Sequence, residues 1–357
     1  KWLGRCPDCG EWNSFEEVVL NADYTPSVHE GTEKFTKQPQ SVPLEAVEAN
    51  DAARFTSGIA EFDRVLGGGA VKRSAVMIGG EPGIGKSTLL LQAAASCGKK
   101  VLYVSGEESG GQIRARADRL NLPLKNIELL CTCKLEDIER VLNKLNPVFV
   151  VIDSIQTMFS PDAGAVPGTI NQLKLCAHEL ISWVKERDSV LFLTAHVTKD
   201  GNIAGPKVLE HLVDTVISFE RTEDDVRFLR ALKNRFGSVD ELGIFSMDEF
   251  GLKAVDDPSS LFIINREGEL PAGAAPAPVF EGSRVFIVEI QALTVPAKGA
   301  VTRVFSDKID SARISRIAAV IEKRIGVQFS DQDIYVNVAG GIRLKEPSAD
   351  LAIALAL

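Results

Sequence analysis

The sequence has no run of 18 or more apolar residues, which excludes an apolar helix long enough to span a bilayer. No charged, then apolar, then small-residue segment opens it, so nothing in it reads as a secretory signal. Cysteine is scarce, six in 357 residues, and the usage suits a reducing compartment. With 45% hydrophobic residues, a core can form without disulfide staples. No self-similarity recurs at a period of about 20–50 residues, which excludes solenoids and propellers. An excess of positive charge is also missing. The 40 Lys+Arg against 49 Asp+Glu leave a net charge of −9, which counts against a chain coated overall for nucleic acid. The imbalance is uneven, since residues 280–357 carry 10 basic and 9 acidic side chains, and basic footprints are local. The chain starts at Lys1-Trp2 without Met, ends inside the apolar run Leu351–Leu357, and reads as truncated at both ends.

What is present alternates between two periods. Ser74–Gly79, Lys100–Ser105, Phe149–Ile152 and Ser189–Ala195 are short apolar runs of strand type. Between them Lys86–Cys97, Gln112–Leu120, Leu135–Leu145 and Thr169–Arg187 have helical character. Thr215–Phe219, Val226–Ala231 and Leu242–Met247 read as later strands. Alternation of this kind predicts βαβ units, an α/β fold and a mainly parallel central sheet. Residues 21–50 are polar and proline-bearing and read as a linker; 264–282, with Pro271-Ala-Gly-Ala-Ala-Pro-Ala-Pro278, reads as a second. The expected organisation is therefore a knuckle-like segment at 1–20, a core at 51–263, and a further α/β segment at 283–357 with one clear helix, Ser311–Ile325.

Gly80-Glu81-Pro82-Gly83-Ile84-Gly85-Lys86-Ser87 fits G-x-x-x-x-G-K-[ST] in full, with Thr88 next. Its glycines let backbone N–H groups face phosphate, Lys86 supplies a charge to the terminal phosphates, and the Ser87 hydroxyl can bind Mg²⁺. The required context, a strand before and a helix after, is present, and the helix aims its positive end at the anion. Phe149-Val-Val-Ile-Asp153 is an apolar strand ending in a carboxylate suited to Mg²⁺. Val101-Leu-Tyr-Val-Ser-Gly-Glu107-Glu108 brings two more carboxylates to a strand end. Glu107 is the preferred base for orienting the attacking water. ATP and Mg²⁺ are the expected ligands, and ATP hydrolysis the expected reaction.

Cys6-x-x-Cys9 is half of a four-cysteine zinc site. On the helix Ser311–Ile325, Ile314, Ile317, Ile321 and Ile325 form one apolar face. Arg313, Arg316, Lys323 and Arg324 cluster on another side, a stripe that could neutralise DNA phosphates.

Lys233-Asn-Arg-Phe-Gly237 is similar to the KNRFG motif of the RadA family of bacterial DNA-repair proteins. Leu66-Gly-Gly-Gly69, Tyr103-Val-Ser-Gly-Glu-Glu-Ser109, Ile152-Asp-Ser-Ile-Gln-Thr157, His196-Val-Thr-Lys199 and Ala204-Gly-Pro-Lys-Val-Leu-Glu-His211 resemble the same family, in order, over essentially the whole chain. The resemblance implies a RecA-type P-loop NTPase core that assembles as a homo-hexamer with ATP at subunit interfaces. Lys233 and Arg235 would then reach the phosphates of a neighbouring subunit or couple nucleotide state to DNA, and His196 resembles a sensor position. Ser160–Gly168 and Thr198–Pro206 would correspond to DNA-contacting loops, with Lys199 and Lys207 as phosphate contacts. The family carries another C-x-x-C pair ahead of Lys1, so Zn²⁺ belongs to the full-length protein and Cys6 with Cys9 make an incomplete site. Residues 283–357 resemble part of a Lon-protease-like domain. There Ser348 of Lys345-Glu-Pro-Ser348-Ala-Asp350 sits at the nucleophile position, but Asp350 replaces a glycine, and the downstream lysine that Lon uses would lie beyond Leu357. The implied function is a DNA-dependent, helicase-like ATPase of homologous recombination and DNA repair in the bacterial cytoplasm. Its implied partners are single-stranded and branched DNA and a RecA-type recombinase filament, with no membrane. The rivals are a RecA-like ATPase regulating a protein partner and a Lon-type serine protease.

Overall fold

The computed structural model describes Pro43, Glu45 and residues 53–357, apart from 165, 167, 198–202, 205–207, 223–224, 256, 265, 267, 269 and 300. The chain divides into two units, Lys1–Glu48 and Ala49–Leu357, and the second holds every element below. Among the described residues, no helix is long and apolar enough to cross a membrane.

β1 (Arg54–Phe55) and β2 (Ala70–Val71) pair antiparallel around α1 (Ala60–Val65). The core then runs β3 (Ser74–Gly80), α2 (Lys86–Ser96), β4 (Val101–Ser105), α3 (Gly110–Arg119), β5 (Ile127–Cys131), α4 (Leu135–Leu145), β6 (Phe149–Asp153), α5 (Ile170–Lys185) and β7 (Val190–Val197). β8 (Ile203–Ala204), α6 (Val208–Leu212), β9 (Thr215–Arg221), β10 (Arg227–Asn234), β11 (Leu242–Asp248) and β12 (Gly251–Ala254) follow. One sheet of order β12-β11-β10-β9-β3-β7-β6-β4-β5 carries them, with β8 on β7. From β9 to β5 all pairings are parallel, and the β9-β10-β11-β12 side is antiparallel. The α/β core with a parallel-rich sheet is thus the one the alternating pattern implied.

Strands buried on both faces read as continuous apolar runs, and the two faces separate by the two-residue period. Val76 and Ile78 of β3 and Phe149 and Val151 of β6 enter the core beneath α2. Ala75 and Met77, with Val150 and Ile152, enter the core under α4 and α5. Leu89 and Leu90 of α2 are fully buried on the first face, each contributing about 1.5–3 kcal/mol by transfer from water. That packing anchors α2 with its N-terminus at the tip of β3.

After α7 (Ser259–Phe262), a second sheet of order β13-β14-β16-β15 is built from β13 (Ala274–Glu281), β14 (Arg284–Pro296), β15 (Val304–Phe305) and β16 (Gln332–Val338). α8 (Ser311–Ile325) and α9 (Asp350–Ala356) pack on it. The proline-rich stretch read as a linker is therefore partly strand: β13 pairs with β14 from Ala274↔Gln291 to Glu281↔Arg284. Pro276 and Pro278 lie on an edge strand, where a missing N–H costs no ladder bond, and Ala275, Ala277 and Val279 alternate inward. Composition flagged the prolines and could not show the alternation between them. Nor do the core and the second sheet part cleanly. Phe228 of β10 and Leu242 and Ile244 of β11 share one apolar cluster with Phe262, Phe286 and Ile314. Glu61 of α1, 4% exposed, accepts two guanidinium bonds from Arg284 at the start of β14 and the Ile244 N–H at 3.0 Å.

Candidate active site

Parallel register brings the candidate residues to one edge. Gly80 at the end of β3 is level with His196 of β7, and Ser105 at the end of β4 is level with Asp153 of β6. The phosphate loop, Glu107, Asp153 and His196 all leave the sheet there, at the carboxyl ends where α/β folds bind ligands.

The loop turns on positive φ at Gly83 (77°) and Gly85 (118°), and a Cβ at Gly85 would lie 2.8 Å from Met247 Cε. Ile84 N–H closes the turn on Glu81 O at 3.3 Å. Among the described residues, no protein acceptor takes the N–H groups of Gly83, Gly85, Lys86, Ser87 or Thr88. Open donors at the start of an eleven-residue helix suit an anion. Lys86, 5% exposed, donates to Gly80 O at 2.8 Å and Glu81 O at 2.9 Å, and its Nζ lies 3.3 Å from His196 Nδ1. Burial pulls the lysine's pKa down, while the Asp153 and Glu107 carboxylates pull it back up. Ammonium, open amides and helix end together fit a phosphate chain.

The acids are held by donors that motif reading did not single out. Asp153 accepts from Tyr103 OH and Thr194 Oγ1, each at 2.7 Å. Tyr103 is fully buried, and that burial, with the Asp153 charge second, pushes its phenol well above its usual pKa. Glu107 Oε1 accepts from Ser154 Oγ at 2.5 Å and lies 3.5 Å from His196 Nε2. Glu108 turns away to Arg116, which separates the two neighbouring carboxylates. The oxygen donors of Ser87 and Asp153 are of the hard type Mg²⁺ takes. The missed partners Tyr103 and Thr194 lie within β4 and β7 and Ser154 directly follows β6, and only the register shows which of them reach in.

Lys233 and Arg235 lie at the other edge. Lys233 and Asn234 of β10 are level with Val216 and Thr215 of β9, and Thr215 is level with Val76, near the start of β3. The loop follows Gly80, four residues further along β3, on the order of 13 Å away. The Lys233 ammonium donates to Glu210 O and Val213 O, both at 2.7 Å. Burial, then the Arg235 charge, lowers its pKa. Arg235 donates at 3.2 Å to Asp214, a buried carboxylate that also takes the Ala75 N–H at 3.0 Å and Lys185 Nζ at 2.6 Å.

The stripe on α8 is narrower than expected. Arg313 is drawn inward: its Nε donates to Asp350 Oδ1 at 2.6 Å and its other nitrogens reach Leu344 O and Glu346 O. This corrects its assignment to a DNA-facing row, because Asp350, the residue that departs from the Lon pattern, is its partner. Arg316, Lys323 and Arg324 are exposed. Ile314 and Ile321 are buried, whereas Ile325 is 73% exposed and leaves the apolar face, its helix ending at Gly326 with φ 85°. Ser348 Oγ is buried with no hydrogen-bond partner, so no described base activates it. Lys199 and Lys207, with most of Thr198–Pro206, lie outside the described residues, as do Cys6, Cys9 and the segments 1–20 and 21–42. Among the described residues, no cluster of His, Cys, Asp and Glu could hold a metal through three of them.

A family described as AAA domain matches residues 39–202, and one described as rubredoxin metal binding domain matches residues 1–17. The protein named DNA repair protein RadA in Treponema pallidum (strain Nichols) is 72% identical over 362 residues, spanning 100% of this chain and 78% of its own length. The protein of that name in Bacillus subtilis (strain 168) is 44% identical over 362 residues, spanning 100% of this chain and 79% of its own. Among solved structures, a KaiC-like protein of Pyrococcus horikoshii OT3 is 20% identical, with a TM-score of 0.49 over 57% of this chain and 99% of its own.

Proposed function

This chain belongs to the RadA family of DNA repair proteins, and from that premise we propose that it is a DNA-dependent ATPase that drives branch migration by helicase-like movement on single-stranded DNA. One observation carries the ATPase reading: a single imidazole, His196, links the phosphate-loop Lys86 to the carboxylate of Glu107 at the ends of parallel strands. In this reading the amides from Gly83 to Thr88 and the Lys86 ammonium bind the phosphates of ATP, with Gly80, Glu81, Pro82 and Ile84 shaping the loop. Glu107, steadied by the Ser154 hydroxyl, orients the attacking water and takes its proton. Mg²⁺, held by Ser87 and Asp153, would supply charge neutralisation at the terminal phosphates.

Lys233 and Arg235 sit at the far edge of the sheet from their own loop, so the phosphates they serve belong to a neighbouring copy in a homo-hexamer. An arginine suits that task because it stays charged and presents a planar fork. The loops after β6 and β7, with Lys199 and Lys207, and the exposed Arg316, Lys323 and Arg324 contact DNA phosphates. The ATPase core spans 51–263 and the Lon-protease-like segment follows it, joined through the shared apolar cluster. Zn²⁺ takes Cys6 and Cys9 as two of four ligands in the full-length protein. The partner is a RecA-type recombinase filament on branched DNA, and the compartment is the bacterial cytoplasm.

The test is ATP turnover with and without single-stranded DNA, for this chain and for Lys86→Ala. Stimulation by DNA that Lys86→Ala abolishes is the expected outcome. Turnover indifferent to DNA would instead favour an ATPase that regulates a protein partner, and turnover that survives Lys86→Ala would remove the site.

A further inference from the structure

One buried charge near the loop has no part in the reading above. Arg227 opens β10 and is 6% exposed. By the two-residue period it shares a face with Leu229 and Ala231, which pack in the cluster beneath α2. An arginine in that apolar row is costly unless its donors are met. They are met by the phosphate loop and the β9–β10 turn: Nε donates to Ile84 O at 3.0 Å and Nη1 to Asp225 O at 3.0 Å. The Asp225 carboxylate, 3.3 Å from Nη1, also takes Arg221 Nε at 2.7 Å.

The contact with Ile84 has a geometric consequence. In a trans peptide the C=O and the next N–H point in opposite directions. With its carbonyl fixed on Arg227, the Ile84–Gly85 peptide must present the Gly85 N–H to the opposite side, and no described protein acceptor takes that N–H. Gly85 lacks the Cβ that would resist rotation of this unit, so something outside the loop has to hold it. We propose that Arg227 is a positioning residue of the phosphate site: it fixes the peptide plane that aims the Gly85 N–H at the terminal phosphates of a bound nucleotide. The proposal rests on the reading of Gly80–Ser87 as a nucleotide loop.

ADP and AMP share base, ribose and first phosphate, so a defect in aiming a donor at the terminal phosphates separates them, whereas general loosening of the fold weakens both. Calorimetric titration with each would compare the unaltered chain, R227K and R227M. Methionine removes both donors. Lysine keeps the charge but has one nitrogen for two carbonyls. ADP affinity is expected to fall about tenfold in R227M, the scale of one charge-assisted hydrogen bond, and by less in R227K, with AMP affinity unchanged in both. If R227M does not fold, R227K alone decides. ADP and AMP weakened alike, or ADP affinity unchanged in the variants, would overturn the role of Arg227 while leaving the nucleotide site intact. Failure of the unaltered chain to bind ADP would remove the nucleotide reading and this proposal with it.

Discussion

Lys86 and His196 meet at 3.3 Å, Nζ to Nδ1. An ammonium can only donate, so in this contact Nδ1 is the acceptor, and Nε2 is the nitrogen that faces Glu107, 3.5 Å away. The imidazole is thus polarised between the loop cation and the carboxylate read as the base. His196→Ala should lower kcat for ATP by about tenfold or more while ADP affinity stays within about threefold, the pattern of an interaction used after binding. Steady-state kinetics with ADP titration would check this, and ADP affinity falling as far as kcat would mean that the ring only holds Lys86 in place.

Arg266 ties the segment before β13 to the second sheet. It donates to both oxygens of the buried Glu289 in β14, at 2.8 and 2.7 Å. The bonds from Arg266 are the largest influence holding the Glu289 carboxyl below its usual pKa. A depressed carboxylate stabilises the fold fully above its unfolded pKa, about 4.3, and loses that contribution as pH falls through the folded value. Glu289→Gln should therefore melt below the unaltered chain at pH 7, and the gap should close as the buffer is taken below pH ~4. A gap constant with pH, in thermal melts of both proteins, would show that the pair has no titrating share in stability.

The legible parts of this molecule were those whose signal is local. The phosphate loop spells itself out in eight residues. The β6 run Phe149–Asp153 and the helix Leu135–Leu145 match their expected bounds, because continuous apolar burial and a left-handed cap at Asn146 are written in adjacent positions. The illegible parts are long-range. Tyr103 and Thr194 are separated from Asp153 by 50 and 41 residues and converge on it only through strand order. Glu61 and Arg284, 223 residues apart, carry no pattern that pairs them. The period-two alternation of β13 was masked because Ala and Pro are weak hydrophobic markers.

Lys233 closes the carboxyl end of α6 by donating to Glu210 O and Val213 O. Its loss should have two separable effects. The carbonyls lose a donor inside their own chain, while any contact with the phosphates of another copy is lost as well. Lys233→Ala should keep ADP affinity within about twofold and reduce DNA-stimulated turnover about tenfold or more, the scale of a trans-acting cation. Mixing the variant with Lys86→Ala chains is informative, because composite sites between the two would regain turnover only if the residue serves a neighbour's nucleotide. No recovery in mixtures that co-assemble would confine Lys233 to its own chain.

The exposed and inward cations of α8 should part in a salt titration. Arg316 and Lys323 are exposed, whereas Arg313 binds Asp350 and two backbone carbonyls. Each phosphate contact adds roughly 0.7 to the slope of log affinity against log salt for single strands. Arg316→Glu with Lys323→Glu should weaken binding to single-stranded DNA and reduce that slope by about one to one and a half, with little change in melting temperature. Arg313→Glu should do the reverse: place a carboxylate against Asp350, free the carbonyls of Leu344 and Glu346, and lower the melting temperature while the slope stays put. An unchanged slope in the double variant would reduce the outer stripe to a solvated helix face. A slope lost with Arg313 alone, at an unchanged melting temperature, would show that this guanidinium leaves Asp350 for DNA.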